Sequence, residues 1–405
     1  MEKTTCIHAG WLIDGSGKPP RKDALLTIVS GRLAAVDTFD RSNLPPAARL
    51  TDLSHCTLVP PLVDSHVHLG LSGTIDQEAR QQQLLAGYES IRTQIARNIR
   101  SAFSHGVLAL RDGGDGHGHV LRSMQENEGR GKKPVLVKTA GRAWHQPGRY
   151  GSMLGRHPGD DETLARAFAR DPDPVDQVKV INSGPNSLTA FARETPPQFT
   201  LDEMKELVRL AGQRGKKVMV HANGELPVRL ALEAGCHSIE HGYFMGRENL
   251  ARMAEKGTVW VPTLAAMKSC AEHLDRGGRK LDPAVARRTL QHQLEQVSLA
   301  RELGVTIALG TDAGSIGVLH GEAVSEELRL LLKAGCTLAE AIRCATWNGA
   351  SLLGVDDHLG LIARNRPAHF LVVRGTPSQL PQKISCLQAI YLDGSPCRKE
   401  FFQKV

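Results

Sequence analysis

Two histidines one residue apart end an apolar run in the stretch LVPPLVDSHVHLG, residues 58–70. In a β-strand, side chains at positions i and i+2 point to the same face, about 6 to 7 Å apart. If the run is a strand, the imidazoles of His66 and His68 can therefore both reach one metal ion. The alternative is two histidines in a polar loop by chance, so a metal site requires further ligands from other strands.

Four more residues suited to metal or acid-base chemistry lie at or near the ends of later β-branched runs. They are Lys179 in QVKVIN, His221 in VMVHANG, His241 in HSIEHG and Asp312 in IALGTD. One strand-end histidine is usually a satisfied polar residue, but this combination is hard to assign to packing and indicates a metal site. His237 shares the face of His241 but lies roughly 13 Å deeper by strand rise, and we expect it to be a core histidine.

The elements that must position these residues repeat along the middle of the chain as a short β-branched run, a polar or glycine-rich stretch and a helical pattern such as LDEMKELVRLAGQRG. The eight candidate strands are LVPPLVDSHVHL, GVLALRDGG, VLVKTAG, DQVKVINSG, KKVMVHANG, HSIEHG, GTVWVPT and GVTIALGTD. This alternation predicts an α/β fold, a (β/α)8 TIM barrel whose active site forms at the C-terminal strand ends. The alternative is a doubly wound open sheet, although no G-x-G-x-x-G opens the first helix.

Both ends of the chain are rich in short strands and turns, as in CIHAGWLIDG near the N-terminus and HFLVVRGTP near the C-terminus. We expect residues 1–58 and 357–405 to pair into one small composite β-sandwich. The barrel domain is then predicted to span residues 59–356.

The composition is that of an ordinary globular protein, with 41% hydrophobic and 23% charged residues among 405. The net charge of +7 comes from scattered clusters without interleaved aromatics, which argues against nucleic-acid binding. The eight cysteines form no C-x-x-C pair, so neither disulfides nor a cysteine-zinc site is expected. The N-terminus lacks the apolar core of a signal peptide, and no apolar run approaches the ~18 residues of a membrane span. We expect a cytoplasmic protein without membrane contact.

Lys179 needs a separate explanation, because a protonated ammonium repels a divalent ion and has no lone pair to offer. Reaction with carbon dioxide converts its amine into a carbamate, an anion whose two oxygens can bridge two metal ions. The alternative is a buried lysine paired with an acid such as Asp312.

The set of H-x-H, a strand-four lysine, histidines on strands five and six and an aspartate on strand eight resembles the amidohydrolase superfamily. The stretches GWLIDGSG, HANGELPVRLALEAGCHSIEHG and GTDAG are similar to its imidazolonepropionase-like and Xaa-Pro dipeptidase (prolidase-like) branch. The resemblance covers nearly the whole chain and implies a metal-dependent hydrolase on a (β/α)8 barrel with a β-sandwich from both termini. The stretch GLIARNRPAHFLVV departs from the family's common G-x-x-A-D-like turn, which concerns the sandwich rather than the chemistry.

Carried over residue by residue, the resemblance implies a binuclear metal centre. The more buried ion would be bound by His66, His68 and Asp312, and the more exposed ion by His221 and His241, with carboxylated Lys179 bridging both. Zinc is the metal expected from imidazole-rich ligands, with manganese or cobalt as alternatives. Two cations that share a water lower its pKa and supply hydroxide near neutral pH. Asp312 would transfer the proton of this water to the leaving nitrogen, a step typically worth ~10²- to 10⁴-fold in rate.

The loop after strand three, GRAWHQPGRYGSMLGRHPGDD, is long, and long βα loops of a barrel usually contact substrate. We expect His145 to act in catalysis by stabilising the oxyanion. The candidate substrate-binding residues are Arg142, Arg149, Tyr150 and Arg156 in this loop and Arg193 in the loop after strand four. The arginines would clamp a substrate carboxylate; the alternative is that they are solvated.

The predicted function is hydrolysis of an amide bond in a small substrate, such as a dipeptide or an N-acyl amino acid with a free carboxylate. The alternative enzyme is an aminohydrolase that deaminates a nitrogen heterocycle, but such deaminases commonly use one metal and an H-x-x-E signature. Here Glu225 follows His221 by four residues. Lactones and carbamates are further alternative substrates. A non-enzymatic assembly protein on this fold would be expected to have lost ligands, and we expect the enzyme to be a homo-oligomer.

Overall fold

The computed structural model describes residues 4–45, 48–129, 133–273 and 282–397. The strands are β1 Thr5–Leu12, β2 Arg21–Val29, β3 Arg32–Thr38, β4 Arg49–Val59, β5 Leu62–Val67, β6 Val107–Asp112, β7 Leu136–Thr139, β8 Ala143–Trp144, β9 Gly155–Arg156, β10 Gln177–Ile181, β11 Lys217–Ala222, β12 Ser238–His241, β13 Val259–Val261, β14 Phe370–Arg374, β15 Leu387–Leu392 and β16 Ser395–Pro396. The helices are α1 Gln77–Leu85, α2 Tyr88–Ser104, α3 His119–Glu126, α4 Leu164–Arg170, α5 Leu201–Gln213, α6 Glu225–Glu233, α7 Gly246–Lys256, α8 Leu264–His273, α9 Pro283–Glu302, α10 Glu322–Lys333, α11 Leu338–Arg343, α12 Gly349–Leu353 and α13 Leu380–Lys383. Shorter turns are the 3-10 helices Arg41–Asn43 and Pro377–Gln379 and the π-helical turn Cys344–Asn348.

Parallel strands with helices between them form the central part of the chain. Strands β5, β6 and β7 pair in that order, and a second parallel sheet has the order β13, β12, β11, β10, β8 and β9. Every residue of β5, β6 and β10 is buried, as expected for parallel strands that are covered on both faces. The predicted fold class, an α/β arrangement of the TIM-barrel type with strand-rich ends, is confirmed.

Helix α5 illustrates why the predicted helical segments fold as they do. The hydroxyl of Thr200 accepts from the backbone N–H of Glu203, and the Glu203 side chain accepts from the backbone N–H of Thr200, which forms a capping box. Met204, Leu207 and Ala211 recur at helical spacing and are buried. The helix therefore begins at its cap and packs one apolar face onto the sheet.

The third and eighth predicted strands differ from simple ladder strands. The third is interrupted at Gly141, whose φ of 62° suits glycine, so that β7 pairs with β6 while β8 pairs with β10. The eighth, GVTIALGTD, forms single bridges from Ile307 to Trp260 of β13 and from the following Ala313 to Val67 of β5. Backbone bonds thus link this segment to strands on both of its sides, although it forms no continuous ladder.

The two ends of the chain share one seven-stranded sheet with the order β16, β15, β14, β4, β1, β2 and β3. Strand β4 pairs parallel with β1 and antiparallel with β14, which joins the N-terminal and C-terminal strands directly. A separate apolar cluster covers this sheet, and in it the rings of Phe370 and Tyr391 stack at 4.5 Å. The predicted division at residues 1–58, 59–356 and 357–405 stays a prediction, and residues 398–405 lie outside the described residues.

The terminal sheet contacts the barrel through Leu371 of β14. This side chain is fully buried and belongs to the large apolar cluster of the barrel. A Cβ added at Gly106, before β6, would lie 2.6 Å from Cδ1 of Leu371, so glycine allows this close approach. Among the described helices, none is long and apolar enough to cross a membrane.

We expect Leu371→Ala to lower the free energy of unfolding by about 2–5 kcal/mol, because it removes buried methyl groups and leaves a cavity between sheet and barrel. The matched control is Leu85→Ala in α1, where the leucine is 86% exposed and the change should stay within about 0.5 kcal/mol. Urea unfolding followed by circular dichroism measures both. Equal midpoints for the two variants would show that the terminal sheet does not stabilise the barrel.

Candidate metal centre and active site

The polar residues singled out at strand ends lie at one end of the parallel strands. The C-terminal ends of parallel strands meet on the same side of such a fold, so residues distant in sequence converge there. They are His66 in β5, His68 immediately after it, Lys179 in β10, His221 in β11, His241 at the end of β12, and Asp312 in the segment that follows β13 in space.

His66, His68 and Asp312 each offer one ligand atom, and these atoms lie within 4.8 Å of one another. The Nε2 atoms of His66 and His68 lie 3.6 and 3.4 Å from Oδ1 of Asp312. Burial lowers the pKa of His66 to about 4, so its imidazole is neutral at pH 7 and keeps a lone pair. The trio therefore has the donor atoms and the spacing of a divalent-ion site.

The second nitrogen of each of these imidazoles contacts a protein acceptor. Nδ1 of His66 lies 2.6 Å from Oε2 of Glu240, and Nδ1 of His68 lies 2.9 Å from the carbonyl oxygen of Gly114. In the neutral rings, these acceptors favour the tautomer that is protonated at Nδ1, which leaves Nε2 unprotonated on the side of Asp312. Against the effect of burial, the Asp312 carboxylate raises the pKa of His68 and so favours its protonated form when no ion is bound. Metal-binding histidines usually have such a partner on the nitrogen that does not bind the ion.

His221 and His241 extend the set of nitrogen donors. Their ring centroids lie 4.7 Å apart, and the ring of His241 lies 5.0 Å from that of His66. Nδ1 of His241 contacts the hydroxyl of Thr263 at 2.7 Å, and Nε2 of His221 lies 3.1 Å from the carbonyl oxygen of Gly184. Burial lowers the pKa of both rings, that of His221 to about 3, so both are neutral donors at pH 7.

Lys179 is only 2% exposed. Burial lowers the pKa of its amine to about 8, although the negative charge of Glu240 acts in the opposite direction. Within the described residues, no carboxylate forms an ion pair with Lys179, so the alternative of a pair with Asp312 is not formed. The amine is thus buried among the histidines with a neutral fraction that can react.

A buried ion pair lies behind His66. Nη2 of Arg111 donates to both carboxylate oxygens of Glu240 at 2.8 and 2.9 Å, and the hydroxyl of Ser238 donates to Oε1 at 2.5 Å. Nε of Arg111 also donates to the carbonyl oxygen of Ser65 at 2.5 Å. Because both charged groups are well supplied with hydrogen bonds, Glu240 is a fixed acceptor for the imidazole of His66.

Gly113, directly after β6, leaves the space in front of the ligand atoms open. A Cβ at this position would lie 2.8 Å from Cε1 of His68 and 3.3 Å from Nε2 of His66. Any larger residue would fill the volume that an ion bound by these imidazoles needs. The residues present therefore fit a metal ion in both donor type and available space.

The loop after β8 brings one of its predicted residues to the histidines. The ring centroid of Tyr150 lies 5.4 Å from that of His221, and burial raises the pKa of Tyr150 to about 12. Its hydroxyl therefore stays protonated at neutral pH. His145 is also buried, with Nδ1 2.9 Å from the carbonyl oxygen of Gln146, and burial lowers its pKa.

The four predicted arginines are not brought together with the histidines by the contacts that they make. Arg142 and Arg156 form ion pairs with carboxylates in the segment 171–173. Arg149 is exposed and donates to a backbone carbonyl at 3.1 Å, and Arg193 is exposed. Their role in substrate binding stays a prediction.

Sequence reasoning missed three residues of the site: Arg111, Glu240 and Tyr243. The ring of Tyr243 is parallel to that of His241 at 6.3 Å, and burial raises the pKa of its hydroxyl well above the ordinary value. A signal was present for each of them. Arg111 and Glu240 are opposite charges inside predicted strands, and Tyr243 follows a strand-end histidine by two residues.

A cavity of about 570 Å³ lies at the opposite end of the strands, away from this site. Its lining includes Lys217, Lys256, Arg343 and His237. Nζ of Lys217 donates to two carbonyl oxygens near the end of α12, at 3.0 and 2.8 Å, so its charge is used to stabilise a helix C-terminus. His237 accepts from a backbone N–H at 3.1 Å, which agrees with a structural role.

Comparison of the sequence with known proteins gives a family and several relatives. The model of the Amidohydrolase family matches residues 57–396. Ochratoxinase of Aspergillus niger is 28% identical over 383 residues, covering 87% of this chain and 77% of that protein. Imidazolonepropionase of Paracidovorax citrulli is 29% identical over 182 residues, covering 43% of this chain and 38% of that protein.

Comparison of the structures agrees with this result. A crystal structure of a Xaa-Pro dipeptidase with methionine bound in the active site superposes with a TM-score of 0.81 and 26% sequence identity, covering 98% of this chain and 100% of that chain. The family match extends over most of the chain and includes all the strand-end residues described above. The chain therefore belongs to the amidohydrolase family and is a hydrolase that acts on C–N bonds.

Proposed function

We propose that this hydrolase is metal-dependent and cleaves an amide bond of a small substrate with a free carboxylate, such as a dipeptide or an N-acyl amino acid. The observation that carries the proposal is the cluster of His66, His68 and Asp312, whose ligand atoms lie within 4.8 Å of one another. The similarity to a Xaa-Pro dipeptidase supports this substrate class, because a Xaa-Pro dipeptide has a free carboxylate on its proline.

The donor set fits two divalent ions. Neutral imidazoles with a carboxylate suit zinc, and manganese or cobalt are alternatives. A carbamate on Lys179 would contribute an oxygen to each ion. The other ligands would be His66, His68 and Asp312 for one ion and His221 and His241 for the other.

Formation of the carbamate needs a neutral amine at Lys179. Its nitrogen lone pair bonds to the carbon of carbon dioxide, and one N–H proton is released to solvent, which leaves an anion. With a pKa of about 8, about one amine in ten is neutral at pH 7. Burial of Lys179 therefore supports the modification.

Bound divalent ions would polarise the substrate carbonyl and make water a competent nucleophile near neutral pH. In the chain itself, Asp312 accepts a proton from the attacking water, whose oxygen bonds to the carbonyl carbon. Asp312 then gives this proton to the leaving nitrogen as the C–N bond breaks. The hydroxyl of Ser315 donates to Oδ2 of Asp312 at 2.7 Å and fixes the orientation of the carboxylate, with Oδ1 toward the histidines.

Two phenols are suited to stabilise the negative charge that develops on the carbonyl oxygen. Tyr150 and Tyr243 lie beside the second pair of histidines, and burial keeps both hydroxyls protonated as hydrogen-bond donors. His145 donates through Nε2 only when both nitrogens carry protons, because its Nδ1 contacts a backbone carbonyl. Burial disfavours that charged form, so we place the tyrosines ahead of His145 in this role.

Asp312→Asn should lower kcat by about 10²- to 10⁴-fold, because an amide cannot accept and return the proton. Asp312 has a left-handed φ of 58°, a conformation that asparagine tolerates well, so the backbone should keep its shape. Steady-state hydrolysis and thermal melting measure the two effects. Activity near that of the wild type, with an unchanged melting temperature, would remove Asp312 from the proton-transfer role.

Lys179→Ala should reduce bound metal from about two ions per chain and abolish amide hydrolysis, because the bridging oxygens are lost. Metal analysis after dialysis, with a screen of dipeptides and N-acyl amino acids, measures both effects. Lys138→Ala is the control, since Lys138 is a half-buried lysine that pairs with Asp176.

Removal of metal by a chelator should abolish activity in the same assay, and added zinc should restore it. One ion per chain, unchanged in Lys179→Ala, together with ammonia released from nitrogen heterocycles, would instead assign a mononuclear deaminase. Hydrolysis of lactones or carbamates without hydrolysis of amides would also contradict the proposal.

A further inference from the structure

Helix α1, Gln77–Leu85, follows the strand that carries both histidines, yet none of its residues is buried. The side chains of Arg80 and Gln83 help to hold the helix in place. Nη1 of Arg80 donates to the carbonyl oxygen of Gly314 at 2.9 Å, and the amide of Gln83 donates to the hydroxyl of Ser72 at 2.8 Å. A helix without a buried apolar stripe contributes little to the core, so its placement has to be explained by its polar groups.

The guanidinium of Arg80 contacts the segment that carries Asp312. Its partner Gly314 is two residues beyond Asp312 in the chain, and a Cβ at Gly314 would lie 2.5 Å from the carbonyl oxygen of His68. The negative charge of Asp312 also acts on Arg80, raising a pKa that burial lowers. Arg80 is therefore a cation at the edge of the proposed metal centre.

Arg80 has no counter-ion among the residues that the structure describes. It is partly buried, and within the described residues no carboxylate lies within 4.0 Å of it. Partly buried guanidinium groups are normally paired, because their desolvation is costly. One N–H bonds to Gly314, while a guanidinium has five N–H donors in a planar fork that matches a carboxylate. Donors therefore remain for an anionic ligand.

We propose that Arg80 binds the free carboxylate of the substrate and so selects carboxylate-bearing amides; this inference rests on the function proposed above. The arginines of the loop after β8 are less suited to this task. Arg142 and Arg156 already pair with carboxylates of the protein, and Arg149 extends to the surface. Helix α1, rather than the long loop after β8, supplies the cation that binds the carboxylate.

A purely positioning role for Arg80 makes a different prediction. If Arg80 only held Gly314 and with it the backbone next to Asp312, its loss would slow the reaction of every substrate, charged or neutral. A carboxylate-binding role affects charged substrates alone. It acts mainly on KM, because the carboxylate is bound equally in the ground state and the transition state.

The test compares Arg80→Met with a control, Arg209→Met, on methionyl-proline and on its C-terminal amide, with release of methionine measured. Arg209 is an exposed arginine of α5 that pairs with Glu206. We expect Arg80→Met to lower kcat/KM for the free acid by about 10- to 100-fold, the range for hydrogen bonds to a charged group. The effect should lie in KM, with little change for the amide. Arg80→Lys should restore part of the activity because it keeps the charge but not the fork. Arg209→Met should resemble the wild type on both substrates.

Equal losses on the acid and the amide would overturn the inference in favour of a positioning role, and an equal loss in Arg209→Met would also overturn it. Calorimetric titration of free proline, the product that keeps the free carboxylate of the substrate, measures binding without turnover. Weaker binding to Arg80→Met than to the wild type supports Arg80 even where neither methionyl substrate is cleaved, an outcome that counts against the proposed function alone. Proline binding that is absent from the wild type, or is the same in both proteins, would overturn the role of Arg80.

Discussion

The buried ion pair between Arg111 and Glu240 links three strands of the barrel through its hydrogen bonds. Arg111 lies in β6 and donates both to a carbonyl of β5 and to Glu240 of β12. The Glu240 carboxylate also accepts from Nδ1 of His66 in β5. Removing one partner of such a pair leaves an uncompensated buried charge, typically at a cost of about 3–5 kcal/mol. The orientation and tautomer of His66 therefore depend on a charge balance that lies outside the set of proposed ligands.

A second constraint lies where the strands end. His241, Thr263 and Asp312 have φ angles of 65°, 51° and 58°, in a left-handed region that β-branched residues such as threonine rarely adopt. Strained residues of this kind cluster at functional sites and persist only where surrounding contacts fix them. Here the hydroxyl of Thr263 contacts Nδ1 of His241, and Asp312 accepts from Ser315. The left-handed backbone at these residues turns their side chains toward the space between the strand ends. A regular strand would continue past this space.

Sequence periodicity was sufficient to place the histidines, Lys179 and Asp312 at strand ends, because parallel strands and a two-residue period bring such positions to one edge. It was not sufficient for Glu240 and Arg111, since their pairing depends on which strands face each other across the interior. The break at Gly141 and the loose pairing of the eighth strand were also not predicted. A run of β-branched residues indicates an extended backbone but not the strand to which it is hydrogen-bonded. The sequence did not indicate Arg80 for a related reason. Helix α1 lacks an apolar stripe, and the substrate-binding arginines were predicted in the long loops instead.

The environment of Lys179 connects the ion pair to the proposed carbamate. An ordinary lysine with a pKa of 10.5 requires about 5 kcal/mol to lose its proton at pH 7, whereas a pKa of about 8 reduces this to about 1 kcal/mol. Burial is the largest cause, and Arg111 adds to it, while Glu240 opposes it. Without Arg111, the charge of Glu240 would stabilise the ammonium form of Lys179 further and would repel a carbamate more strongly. The pairing that orients His66 thus also favours the neutral amine that must react with carbon dioxide, and one buried interaction serves both halves of the proposed metal centre.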